Sequence, residues 1–193
     1  MKAGKEERSV LVVSGSDKVY EYIVELLPQE EFYPVSRASS AGEARRILVS
    51  QVYDILIINT PLQDDFGIEL ALDYTDRAMG IMLMVKDEIY PQVVFQVEDV
   101  GVLTVQKPAS KQNLYGAIKL LSAVSAKLKL FEKKTRTLEE KMADIRVINH
   151  AKWLLIDNEK MTEEEAHHEI ERYAMDRRIS KSDAAKDIIE KYE

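Results

Sequence analysis

Apolar positions in the first hundred residues fall into short continuous runs, separated by stretches with helical spacing. Ser9–Val13, Asp54–Ile58 and Gly80–Val85 are runs rich in Val, Ile, Leu and Met, the pattern of strands buried on both faces. Tyr33–Ala38 and Val102–Val105 are weaker strand candidates. Between them, Lys18–Leu27 puts Tyr20, Ile23, Val24 and Leu27 on one helical face, and Ala41–Val49 reads as a helix with Ser39 or Ser40 as cap. A loop bearing Pro, Asp and Gly runs from Thr60 to Gly67. Ile68–Asp73 then starts a helix, and Pro91–Glu98 is a short helix or irregular segment. Strands alternating with helix-length segments predict a parallel five-stranded sheet covered on both faces. This is a flavodoxin-like, doubly wound α/β domain over residues 1–120.

After Ser110 the period changes. No proline follows Pro108, and Gly116 is the only later glycine. Ala117, Leu121, Val124, Leu128, Phe131, Thr135, Leu138, Met142 and Ile145 recur at spacings of 3 and 4, with Lys and Glu at flanking positions. That is a heptad seam, and it predicts a coiled-coil linker over 121–146 with Leu121, Val124, Leu128, Phe131, Leu138, Met142 and Ile145 as the contact residues of a parallel homodimer. The first part of this helix also has the position of a last helix packed on the α/β domain. The long helix is expected to reach Ile156 and to break at Asp157–Lys160. Thr162-Glu163-Glu164-Glu165 is a capping box opening a helix to about Met175, and Ser180-Lys181-Ser182-Asp183 opens the last one. Residues 147–193 therefore read as a small all-α three-helix unit.

Composition narrows the function classes. There are no cysteines, which removes disulfides, thiolate zinc sites and cysteine nucleophiles and suits a reducing cytoplasm. The charged start, MKAGKEERS, lacks the apolar stretch of a signal peptide, and no apolar run approaches the length of a membrane span, so a soluble cytoplasmic protein is expected. No phosphate-cradling glycine loop, nucleophile–base pair or metal cluster is evident, so neither an enzyme nor a cofactor is expected. His167 and His168 are neighbours on a helix and cannot share one face. The net charge of −7 argues against nucleic acid taken alone, and Lys141–Glu193 carries ten basic against thirteen acidic side chains. Any nucleic-acid surface must come from the placement of cations, not their number.

Residues 9–120 resemble a two-component receiver domain. Val10-Leu11-Val12-Val13 matches its first strand, Asp54 to Asn59 its third, Gly67 its following loop, and Lys107-Pro108 the end of its fifth strand. The resemblance implies a phosphorylation pocket, and here its chemistry is missing. Ser14 and Gly15 stand where the acidic pair would hold Mg²⁺, Asn59 where the phospho-accepting aspartate would be, Val85 near the switch hydroxyl and Thr104 at the switch aromatic; only Lys107 remains. An amide cannot form an aspartyl-phosphate, and Mg²⁺ requires carboxylate oxygens. Asp17, Asp64 and Asp65 lie nearby in sequence, either as a replacement metal site or as solvated loop acids. The remaining scaffold is open to a regulatory protein or a small ligand.

Residues from Arg146 to Ile189 resemble the ANTAR domain. The match runs through Ile148-Asn149-His150-Ala151-Lys152, Thr162 to Ala166, Arg172-Tyr173-Ala174-Met175, Arg178, Ala184-Ala185 and Ile188-Ile189. The resemblance implies an antiterminator that binds paired RNA stem-loops in nascent transcripts, through a face containing Ala151, Lys152, Trp153, Arg172, Tyr173, Arg178 and Lys181. Trp153 departs from the family, which has a small residue there. Three roles remain open for it: core packing, stacking on a loop base, and a mark of an altered RNA site. The cations themselves have two readings, a segregated positive face or pairs with Glu163, Glu164, Glu165, Glu169 and Glu171 along solvated helices. The alternative function is a dimeric protein-interaction scaffold that has lost RNA binding.

Overall fold

The computed structural model describes residues 7–192; most of the charged N-terminal stretch, through Glu6, and Glu193 lie outside the described residues. Five strands, β1 (Val10–Val13), β2 (Val35–Ala38), β3 (Ile55–Asn59), β4 (Gly80–Lys86) and β5 (Leu103–Lys107), form one parallel sheet in the order β2-β1-β3-β4-β5. This is the doubly wound sheet expected from the apolar runs. Successive side chains point to opposite faces. Leu11, Val13, Leu56, Ile58, Leu83 and Val85 meet α2 (Ala41–Ser50), α3 (Ile68–Leu72) and α4 (Tyr90–Val97), the last being the segment the sequence left between helix and irregular structure. Val10, Val12, Ile55, Ile57, Met82 and Met84 meet α1 (Asp17–Leu26) and the start of α5 (Lys111–Glu159).

Two glycines set the close approaches. Gly67 has φ 102, and a Cβ there would lie 2.8 Å from Ile58 Cγ2, so the turn entering α3 has no room for a side chain. A Cβ on Gly80 would lie 3.0 Å from both Cβ and O of Leu121, so glycine lets α5 lie directly on β4.

That contact corrects the proposed seam. Leu121 is only 3% exposed and belongs to the core beneath the sheet. The stripe that docks α5 is Leu114, Ile118, Leu121, Ser125 and Lys129. Ser125 Oγ donates to the Ala78 carbonyl at 3.4 Å, and Lys129 Nζ reaches Asp54 at 2.7 Å. Asp54 is a nearly buried carboxylate that also accepts from Ser9 N, Ser9 Oγ and Arg8. The neighbouring stripe is exposed instead: Val124, Leu128 and Phe131, with Leu120, 55% exposed, in the place given to Leu121. Both stripes satisfy a 3–4 spacing, but they are about 100° apart, one residue's turn of the helix.

Contacts divide the chain between Glu132 and Lys133. The second unit comprises the rest of α5, α6 (Glu163–Arg177) and α7 (Lys181–Tyr192). α5 runs to Glu159, three residues beyond the expected end, and Lys160 then takes a left-handed conformation at φ 56. The Thr162–Glu165 capping box is present in both its hydrogen bonds. Ala151, Leu155, Ala166, Ile170, Ala174, Ala184, Ala185 and Ile188 form the core. The five alanines at the helix contacts allow close packing. Among the described residues no helix is long and apolar enough to cross a membrane.

Candidate functional site

The strand ends at the top of the sheet gather Ser14, Asn59 and Lys107 into one hydrogen-bonded chain. Lys107 Nζ donates to Asn59 Oδ1 at 2.7 Å and also to the Thr60 carbonyl. Asn59 Nδ2 donates to Ser14 Oγ at 3.1 Å, and Ser14 Oγ donates to the Ser16 carbonyl at 3.1 Å. Ser14, Asn59 and Thr60 are buried. Among the described residues the Lys107 ammonium meets an amide oxygen and a carbonyl oxygen and no carboxylate. Burial, and then the charge of Lys86, hold its pKa below the usual lysine range. Gly15 is exposed and beneath Gln63, whose Cγ lies 3.5 Å from where a Cβ would be. Val85 does not join this chain; it is wholly buried in the core on the α2–α4 side. Thr104 is half-buried, and its Oγ1 has no hydrogen-bond partner among the described residues.

The nearby acids have other duties. Asp64 accepts from the backbone N–H groups of Ala41 and Gly42, both at 2.9 Å, and caps α2 from a distant loop. Those bonds, Gly42 first, hold its pKa below the usual carboxylate range. Asp65 accepts from Gly67 N at 2.6 Å and pairs with Arg45, while Asp17 pairs with Arg37. Among the described residues no group of three or more His, Asp or Glu is placed to hold a metal ion. Sequence reasoning missed Thr60, whose carbonyl completes the lysine's shell, and Arg37, which donates to the Ser14 carbonyl at 3.3 Å. Neither carries a motif, since both act by reach across neighbouring strands.

In the second unit the expected RNA-contacting residues separate. Ala151 is 0% exposed in the core, so its side chain cannot touch a ligand; small size is what the α5–α6–α7 packing requires of it. Lys152 pairs with Glu163 at 3.0 Å, Arg172 with Glu169 at 2.5 Å and Lys181 with Glu171 at 2.5 Å. The hydrogen bonds from Lys152 and Lys181 lead the causes that hold Glu163 and Glu171 below the usual range. Tyr173 OH lies 3.3 Å from Asp187, and the Arg177 guanidinium lies 4.4 Å from the Tyr173 ring centre. Arg178 caps α6 in the left-handed conformation, φ 55, and is exposed, with no ion pair among the described residues. Lys152 is held at the first residue of α6 and Arg178 sits just past its end. The 15 residues of that helix, about 22 Å, separate them. A single compact face containing both is therefore replaced by two basic points at opposite ends of α6. Trp153 is 59% exposed and is not a core residue of the three-helix unit.

Residues 136–189 match the family model of the ANTAR domain, a match that begins within α5 and takes in all of α6. The transcriptional regulatory protein PdtaR of Mycobacterium tuberculosis, strains H37Rv and CDC 1551, is 25% identical over 184 residues, covering 95% of this chain and 90% of PdtaR. Among solved structures, the receiver domain of an HD domain-containing protein from Pseudomonas fluorescens Pf-5 has a TM-score of 0.59 at 16% identity, covering 67% of this chain and 96% of that one. A response regulator receiver domain protein from Clostridium thermocellum gives 0.56 at 18% identity, covering 63% and 98%. These likenesses show the receiver fold. The chain thus carries a receiver fold followed by a segment that matches the ANTAR family model, and it is similar to PdtaR over nearly its whole length.

Proposed function

From a receiver fold followed by an ANTAR domain, we propose that this protein is a dimeric RNA-binding antiterminator whose receiver domain works without phosphorylation. The observation that carries the reading is the ANTAR match over 136–189, the segment that holds the three-helix core. In this reading residues 1–120 are a pseudo-receiver, 121–146 a coiled coil and 147–193 the RNA-binding unit, acting in the cytoplasm on nascent transcripts. Each subunit holds one stem-loop. Lys152, Arg172, Arg178 and Lys181 supply phosphate contacts, joined by the positive end of α7's backbone dipole, with Tyr173 beside them. Ala151 serves by packing.

Phosphorylation independence is supported by the Lys107–Asn59–Ser14 chain. An amide occupies the acceptor position, and a serine and a glycine replace the metal-binding acids. Dimerisation is supported by the exposed apolar row Val124, Leu128, Phe131, Leu138, Met142 and Ile145 on α5. The scaffold alternative draws on one observation, the pairing of Lys152, Arg172 and Lys181 with glutamates. These pairs lie at the surface, Lys152 being the most covered of the three cations, and surface ion pairs contribute only about 0–1 kcal/mol each, little enough for phosphate to displace the glutamates.

Sequencing the RNA that co-purifies with the protein from its own host tests the reading. Enrichment of transcripts carrying two adjacent hairpins, bound again by the purified protein, is expected. An RNA-free protein with no affinity for such hairpins at low salt favours the scaffold. Sedimentation tests the dimer separately, and a monomer at tens of micromolar would reduce α5 to a spacer.

A further inference from the structure

A cavity of about 320 Å³ opens at the strand starts, the end of the sheet away from Ser14, Asn59 and Lys107. Its floor is apolar: Leu48 of α2, Tyr53 before β3 and Met79 before β4 are all buried. Val52 stands at its edge, 79% exposed, an apolar side chain left in water. The charged side chains of the lining are Asp76, Arg77, Lys129 and Glu132. All of these residues belong to the first unit. Neither the phosphorylation-independent receiver nor the RNA surface proposed above makes use of this cavity.

The four charges are not equally engaged. Lys129 is committed to Asp54 at 2.7 Å. Arg77 is fixed in place but not neutralised. Its Nη1 donates to the Leu48 carbonyl at 2.9 Å, and its guanidinium carbon lies 4.7 Å from the Tyr74 ring centre. These two contacts orient the guanidinium plane and leave most of its five N–H donors unused. Asp76, Arg77 and Glu132 are exposed, and none of them forms an ion pair among the described residues. One uncommitted guanidinium and two uncommitted carboxylates therefore line a cavity with an apolar floor.

We propose that this cavity binds a small zwitterion with an apolar side chain, of the class of the free amino acids leucine, isoleucine and phenylalanine. The ligand carboxylate takes the Arg77 fork, its ammonium meets Asp76 and Glu132, and its side chain covers Tyr53 and Met79. The cavity stands at the small end of the roughly 300–1,000 Å³ usual for ligand sites, which suits a molecule of this size. An uncharged apolar molecule would leave Arg77 without a partner, and the end of a polypeptide brings only one of the two charges. Glu132 is the last residue of α5 in the first unit, so an occupant links the starts of β3 and β4 to the end of α5 within that unit. That gives the receiver-fold domain an input that needs no phosphoryl transfer. The site rests on the geometry of the first unit alone and is independent of RNA binding.

Full-length protein labelled with carbon-13 at its methionine methyl groups gives a local readout, because Met79 lies in the floor while Met142, Met161 and Met175 belong to the second unit. Titration with leucine, isoleucine and phenylalanine to about 10 mM, tenfold above a millimolar Kd, should move the Met79 signal with at least one of them and leave those three signals in place. Met79→Leu identifies the signal. Arg77→Met, which keeps an apolar stem beside Tyr74, and Glu132→Gln should each weaken binding by about tenfold or more, as loss of a charge-assisted hydrogen bond does. Isocaproate, which is leucine without its amino group, and leucinamide, which lacks the carboxylate, should bind at least as poorly as leucine binds those variants. A Met79 signal unmoved by all three amino acids overturns the site, as does binding unchanged in both variants. Equal binding of isocaproate and leucine overturns the role given to Asp76 and Glu132.

Discussion

Lys107 Nζ donates to Asn59 Oδ1 across 2.7 Å at the strand ends of the receiver-fold sheet, so on the reading proposed above an amide held by the lysine stands in place of a phospho-accepting aspartate. Acetyl phosphate with Mg²⁺ should therefore leave the protein unmodified by intact-mass spectrometry. Asn59→Asp should also remain unmodified, because Ser14 and Gly15 still offer Mg²⁺ no carboxylate. A stable phosphoryl adduct on the unsubstituted receiver domain would falsify the phosphorylation-independent reading.

Gly80 and Leu121 set how closely α5 approaches the sheet. Gly80→Ala meets backbone as well as side chain at 3.0 Å, so it should destabilise the receiver-fold domain by about 1–3 kcal/mol in urea unfolding. Leu121→Ala should cost about 2–5 kcal/mol from lost burial and the cavity left behind. Leu120→Ala, on the exposed stripe, should leave that domain's stability nearly unchanged. Equal losses at 120 and 121 would contradict this assignment of the two stripes.

Asp54 ties α5 to the lower end of the sheet. Burial pushes its pKa up, but the bonds from Lys129 and Ser9 prevail and hold it below the usual carboxylate range. A carboxyl whose folded pKa is depressed stabilises the fold fully above its unfolded value, about 3.9, and that stabilisation is lost as pH falls through the folded value. Stability should therefore drop on acidification below about pH 4, with a shallower drop in Asp54→Asn. Asp54→Ala should cost about 1–3 kcal/mol at neutral pH by leaving Ser9 without its acceptor. Lys129→Met should cost less than about 1 kcal/mol, since the ammonium is well exposed. Parallel acid profiles for the protein and Asp54→Asn would rule out this contribution.

Charge release offers a test of the RNA surface that does not depend on losing function. Glu163→Gln frees Lys152, and Glu171→Gln frees Lys181. Each should tighten binding of a cognate hairpin pair. Lys152→Ala should weaken binding by about 1–3 kcal/mol and flatten the log–log salt dependence by about 0.7–0.9 per lost contact. Arg178→Ala should flatten it likewise. If all four variants bind as the unsubstituted protein does across salt concentrations, the two ends of α6 are not the RNA contacts.

Sequence alone determined the elements, because their signals are local. Continuous apolar runs placed β1, β3 and β4 to within a residue or two, and the Thr162–Glu165 capping box placed the start of α6. Tertiary structure decided which of two adjacent stripes on α5 enters a core. Leu120 and Leu121 both continue a 3–4 pattern, and only the glycine opposite, Gly80, selects Leu121. It likewise decided that Ala151 is interior, that Trp153 is not, and that Lys152 and Arg178 stand at opposite ends of α6. Each of these turns on a partner far away in the chain, and the spacing of residues along one helix cannot say which of its sides that partner will cover.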